Sequence, residues 1–238
     1  MMKRTFVAAA SAVLVATTVF ADEPEKKLSL GLAYVATSGN SDSSTGGLDV
    51  KYKDAFGVWG LELAGGYLRA EQNGDLTAER LFAGVRGTRS VSERWQGFAG
   101  ASYLRDKFAG LDPRYVIEAG ATYAMLKGVP HELAFDLGAA WNRDELVGGL
   151  TDSYVSGLAA LRYAWTISNT AKLTEHLAAF PSFEDSNDYR IESDLAIQAA
   201  IAKQVALKLG YGVRYDNQPV PGFSKTDTVT SVSLVLSY

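Results

Sequence analysis

The chain contains no cysteine, so disulfides and thiolate-held metals are excluded at the outset. Only 2 histidines occur in 238 residues, too few for a multi-histidine metal centre, and no acidic cluster supplies ligand spacing in their place. Proline is scarce, at 6. Beyond Phe20 there is no apolar run approaching the roughly 20 residues that a membrane-crossing helix needs. The formal net charge of −4 is too small to point to a nucleic-acid partner. Charge is spread without blocks and no segment is low in complexity, so nothing marks a linker or a second domain. What the chain does have is 23 glycines, 12 tyrosines and a persistent alternation of apolar and polar residues.

The two ends carry the strongest local signals. Lys3 and Arg4 precede an apolar run, Phe6 to Phe20, and Val19-Phe20-Ala21 suits a signal peptidase. Residues 1–21 are therefore expected to be a cleavable secretory signal, leaving 22–238 as one exported domain. At the other end, Val232, Leu234, Leu236 and Tyr238 share one face of a strand from Thr228, opposite Ser231, Ser233, Val235 and Ser237. An alternating strand closing on an aromatic residue resembles the C-terminal insertion signal of bacterial outer-membrane β-barrels. That resemblance implies lipid as the solvent and the barrel-assembly machinery as a partner.

Between these ends twelve strands are expected, at about 28–38, 47–55, 58–71, 77–90, 95–107, 114–126, 132–144, 152–167, 171–181, 189–201, 205–216 and 226–238. Most supply the roughly 9–11 residues that a tilted membrane strand needs. The fold class is all-β, a transmembrane antiparallel up-and-down barrel of about twelve strands. Ten remains open because the fourth and fifth have ambiguous register: Phe98 and Tyr103 cannot share a face without a bulge. Trp59, Tyr67, Trp95, Tyr103, Tyr115, Tyr163, Trp165, Tyr189, Tyr215 and Tyr238 fall near strand ends, as interfacial girdles do. The rival is a soluble sandwich or lipocalin-like barrel with its apolar faces inward. With a periplasmic N-terminus, the longer connections face outward, including 39–44, 72–75, 109–113, 183–188 and 217–225. None is expected to be long enough to plug the barrel.

An apolar exterior sends the polar residues inward. The expected lumen holds Asp49, Lys51, Lys53, Glu62, Arg80, Arg86, Arg114, Glu118, Glu132, Asp136, Arg162, Lys172, Asp194 and Lys208, interleaved with glycine and alanine. A basic residue at the lipid-facing midpoint would cost about 2–4 kcal/mol, which enforces this placement. At the outer mouth Arg190, Glu192, Arg214, Asp216, Lys225 and Asp227 are expected to form an ion-pair network, so that Asp227→Ala would lower the stability of the folded barrel. Three functions follow: a narrow charge-lined channel for ions or small solutes, a sealed barrel that braces the envelope or displays loops, or a module that binds a small ligand in the lumen.

An enzyme is not expected, and no cofactor is implied. A nucleophile would need a histidine base beside it. His131 follows Pro130 at a turn, and His176 faces inward with no serine two residues away. Glu175 would point to lipid unless a bulge resets the ninth strand. Gly39-Asn40-Ser41-Asp42 lacks the ligand count of a calcium loop and reads as a turn.

Three motifs belong together. They are Ser38-Gly39-Asn40-Ser41; Pro181-Ser182-Phe183-Glu184-Asp185 with Asp188-Tyr189-Arg190; and Tyr215-Asp216-Asn217 with Pro219, Gly222 and Lys225-Thr226-Asp227-Thr228. As an ordered set they resemble a family of outer-membrane β-barrels of unknown function labelled salt-induced outer-membrane proteins. The resemblance covers essentially the whole mature chain. It implies a Gram-negative outer-membrane barrel and a link to salt in expression, and no reaction.

Overall fold

The computed structural model describes residues 26–37 and 43–237. The signal segment 1–21, the Gly39-Asn40-Ser41-Asp42 turn and Tyr238 lie outside the described residues. Alternation in the chain becomes strand almost everywhere: β1 (Lys26–Thr37), β2 (Ser43–Phe56), β3 (Trp59–Gln72), β4 (Asp75–Ser90), β5 (Trp95–Asp106), β6 (Leu111–Leu126), β7 (His131–Leu146), β8 (Thr151–Ser168), β9 (Ala171–Pro181), β10 (Tyr189–Ala202), β11 (Val205–Asp216) and β12 (Thr226–Ser237). A single 3₁₀ turn, Lys107–Ala109, interrupts them among the described residues. Each strand pairs antiparallel with its sequence neighbours, and β1 meets β12 to close the sheet into a barrel. The count is twelve among the described residues, which removes the ten-strand alternative.

Closure abolishes open sheet edges wherever neighbours pair, which is what a lipid solvent requires of backbone N–H and C=O groups. The pairing is uneven. β2 and β3 pair along their whole length, whereas among the described residues β1 and β12 meet over four register pairs, Ser29↔Ser237 to Leu32↔Leu234. Register shifts fall near strand ends, as at Ala70/Glu71, Leu104/Asp106 and Thr166/Ser168. The middle of the barrel therefore keeps a strict inside–outside alternation. Phe98 points inward and is buried, and Tyr103 points outward against Tyr115 at 5.5 Å between rings; no bulge separates them because they occupy opposite faces.

The burial pattern is the inverse of a soluble fold. Leu63, Leu81, Ile117, Leu137, Leu195 and Val232 are exposed on the outside. Thr122, Asp136, Asn142, Ser156 and Asp194 are fully buried inside. A continuous exposed apolar band around a polar interior is a membrane surface. Aromatic residues collect at its two edges: Trp95 packs on Tyr123 at 4.8 Å at one, and Tyr189 on Tyr215 at 5.9 Å at the other.

The two rims differ. At one, hereafter the turn end, the connections are 57–58, 91–94, 127–130, 169–170 and 203–204. At the loop end they include 107–110, 147–150, 182–188 and 217–225. The 73–74 connection, expected to be among the longer ones, is a two-residue hairpin turn. Asn73 (φ 52) and Gly74 (φ 85) supply the paired left-handed conformations such a turn demands. No loop was expected to be long enough to plug the barrel, and loop 217–225 leaves a cavity beneath it, but it does span the mouth. Loop 217–225 crosses to the far wall, where a Cβ placed on Gly110 would lie 3.0 Å from Val220 Cβ and 3.1 Å from Phe223 Cε2. Gly110 permits that contact twice over, by its missing side chain and by its φ of 84°.

Candidate functional site

Beneath the crossing loop lies a vestibule of about 1190 Å³. Eight acidic and six basic side chains line it, so it is polar, water-accessible and net acidic. The strands put these groups there by parity alone: Arg80 on β4, Asp106 on β5, Arg114 on β6, Arg190 on β10, Arg214 on β11 and Asp227 on β12 all fall on inward positions.

At mid-height the lumen is packed along one wall. Asp136 accepts hydrogen bonds from Arg162 at 2.6 Å, from Arg86 at 2.9 Å and from the Thr122 hydroxyl at 2.6 Å. Arg86 also reaches Glu118 at 3.2 Å and lies 3.7 Å over the Phe98 ring, a cation–π contact. Phe98 packs in turn with Leu158, Ala160, Ala178 and Phe180. Room for that ring comes from Gly120, where a Cβ would fall 2.7 Å from Phe98 Cζ and 2.3 Å from the Leu137 carbonyl oxygen. Above this layer Asn142 donates to Ser156 at 2.9 Å, and Arg114 pairs with Asp144. The opposite wall, β1, β2, β11 and β12, places the small residues Gly31, Ala33, Gly47, Gly210 and Ser231 inward.

Toward the turn end the charge changes sign. Lys27, Lys51, Lys53, Lys172 and Lys208 point inward alongside Asp49, Glu62 and Glu132. Glu62 accepts from both Lys51 (2.9 Å) and Lys53 (3.2 Å).

Of the six mouth residues named from the sequence, Arg214 and Glu192 come together at 3.5 Å. The stronger partner of Arg214 is Asp194, held through both carboxylate oxygens at 2.8 Å. Arg190 donates to Asn142 at 3.1 Å and lies between the rings of Tyr154 and Phe180. Asp216 accepts the Gln218 N–H at 2.9 Å. Lys225 turns away from Asp227 and donates to Asn217 at 3.1 Å. The Asp227 carboxylate has neither hydrogen bond nor ion pair among the described residues, although it stands opposite Arg214 in register.

The motif residues instead knit the two longest loops together. Asn217 donates to the Asn187 carbonyl at 2.8 Å, and Gln218 donates to Asp185 at 2.8 Å. The backbone N–H of Asn187 and the Gln218 side chain hold the Asp185 carboxyl below the usual carboxylate range. On the same loop, burial and then the neighbouring Asp216 charge push Asp188 up. Sequence reading placed these residues at the mouth. It missed their bridge, as well as the gathering of Arg86, Asp136 and Arg162. The one available signal was the apolar pair Val220 and Phe223 in an otherwise polar loop.

The histidines have structural surroundings. His131 meets the Tyr163 hydroxyl at 2.8 Å and stacks in the girdle beside Trp165. His176 faces inward between Arg162 and Asp194 in register. No bulge lies near Glu175, so it points outward, where Ser193 donates to it at 2.7 Å.

Comparison with known proteins places this architecture. The outer membrane channel COG4313 of Pseudomonas putida F1 superimposes with a TM-score of 0.55 at 12% identity, over 93% of this chain and 100% of that one. The translocator domain of the autotransporter NalP from Neisseria meningitidis does so with a TM-score of 0.52 at 10% identity, over 91% and 89%. At such identities the likeness is one of fold, and the fold is that of bacterial outer-membrane barrels. In sequence, the chain is 27% identical over 211 residues to the uncharacterized protein YdiY of Escherichia coli (strain K12), covering 86% of this chain and 80% of that protein. Residues 30–238 match the family described as "Protein of unknown function, DUF481", and with that match the chain belongs to this family of outer-membrane-type barrels without an assigned activity.

Proposed function

We propose that the protein resides in the Gram-negative outer membrane as a narrow, charge-lined passive channel for ions or small solutes. In this reading residues 1–21 direct export and are removed, 22–238 form the barrel, and the alternating C-terminal strand engages the barrel-assembly machinery. The loop end then faces outward and the turn end faces the periplasm, following the usual asymmetry of long outer loops and short inner turns. The observation that carries it is the vestibule of about 1190 Å³ lined by charged side chains, too polar to be a packing defect. Below it, the inward positions of β1, β2, β11 and β12 carry small residues opposite the Arg86–Asp136–Arg162 cluster, which favours a passage on that side. Twelve strands lie between the eight that side chains fill and the sixteen that leave a broad channel. Placement of both histidines among structural neighbours favours a non-catalytic role.

The second reading, a sealed barrel that braces the envelope or displays loops, is favoured by the fully buried Asp136 and Asn142 and by the loop across the mouth. Single-channel recording of the refolded protein in a planar bilayer decides between them. Reproducible conductance steps are expected. A folded, heat-modifiable barrel that passes no current would leave the sealed barrel standing. A role in salt response rests on the family resemblance alone, and unchanged expression on shifting cells to high salt would remove it.

A further inference from the structure

Three charged groups at the vestibule floor have no side-chain partner among the described residues. Arg80 Nε is buried with no hydrogen-bond acceptor, and among the described residues its guanidinium forms no ion pair. Asp227 is likewise unpaired, and Asp106 accepts only from the backbone of the 107–109 turn, with Ala109 N at 3.1 Å. They come from β4, β12 and β5, line one cavity, and feel one another's charge. Several other lumen charges are closed into ion pairs, as Arg114 with Asp144, Arg214 with Asp194 and Arg162 with Asp136. Asp106 is buried and Arg80 and Asp227 are half-buried at the cavity wall, so a guanidinium beside two carboxylates, none of them closed into an ion pair, presents both signs of charge to a solute.

We propose that this floor binds small amino-acid-like solutes that carry a carboxylate together with ammonium groups. The carboxylate takes the planar donor fork of Arg80, which suits two-point recognition. Ammonium groups take Asp106 and Asp227. One arginine and two aspartates sum to −1, and a solute with one carboxylate and two ammonium groups brings that sum to zero. The vestibule's net acidity favours the same class of solute at the entrance. Binding needs only the vestibule, so it stands or falls separately from conduction.

The test is calorimetric titration of the folded barrel in detergent micelles with three probes: lysine, 1,5-diaminopentane (the same chain without the carboxylate) and acetate. Lysine is expected to bind about tenfold or more tightly than either single-sign probe, a gap of about 1.4 kcal/mol. Arg80→Gln is expected to erase the preference for lysine over diaminopentane, while Arg80→Lys keeps part of it. Asp227→Asn is expected to weaken both amines and leave acetate unchanged. Heat-modifiable gel mobility confirms that each variant is folded. Equal binding of lysine and diaminopentane by the native barrel, tighter binding of acetate than of lysine, or no heat from any probe would overturn the proposal without recourse to a variant.

Discussion

At the scale of single residues, the decisive contrast is between charges the protein has paired and charges it has not. Asp136 is 2% exposed and serves two arginines and a threonine. Replacing it with alanine strands Arg86 and Arg162 in a packed layer, and removing one partner of a buried ion pair costs about 3–5 kcal/mol. Asp136→Ala is therefore expected to lower the temperature at which the folded band converts on heat-modifiability gels. Asp227→Ala, with no partner to lose, should leave it unchanged; the reverse ranking would contradict the contact pattern. Asp185 offers a pH handle outside the membrane. Its carboxyl is depressed when latched, so the latch contributes fully above the ordinary carboxylate range. That contribution is lost as pH falls through the depressed value. The protection of the Asn187 amide against exchange, relative to its intrinsic rate at each pH, should fall at that acid edge, and Asp185→Asn should flatten the profile. Inward placement of all these residues was legible from strand parity. Their partners were not, because period two fixes a face and says nothing of which side chains meet across a lumen.

At the scale of elements, strands and loops differ in how much of them the chain's local pattern specifies. β9 and β11 begin and end at the residues that alternation and turn chemistry indicate, 171–181 and 205–216. Loop 217–225 followed no such rule, since its course depends on a glycine more than a hundred residues away. Val220 and Phe223 are half-buried at this contact, so each contributes part of the roughly 1.5–3 kcal/mol that full burial of such a side chain is worth. The double variant Val220→Ser with Phe223→Ser should release it. The expected outcome is faster reaction of a thiol reagent with a cysteine placed at Arg80, read against the same cysteine beneath the native loop. Equal rates would mean that the loop does not screen the vestibule. Gly110→Val should produce the same release from the other side of the contact.

At the scale of the whole molecule, the lumen is polarised along its axis, acid-rich beneath the loops and lysine-rich above the turns. If the barrel conducts, cations gather at one end and anions at the other. Current should be larger when the loop side is positive, because both ion types are then driven toward the centre. Lys51→Gln with Lys53→Gln should reduce that asymmetry, and a symmetric current–voltage curve in the native barrel would discount the polarity. The twelve-strand architecture was legible because lipid imposes one pattern on every strand. Where the ring closes was not, since that pairing joins residues some two hundred positions apart. It is also the shortest pairing described, Ser29 to Leu32 against Leu234 to Ser237. A hoop is only as strong as its clasp: the twelve strands share one tension, and among the described residues it is borne at a clasp of four residue pairs. The barrel would be released there first under load, and fastened there last when it is made.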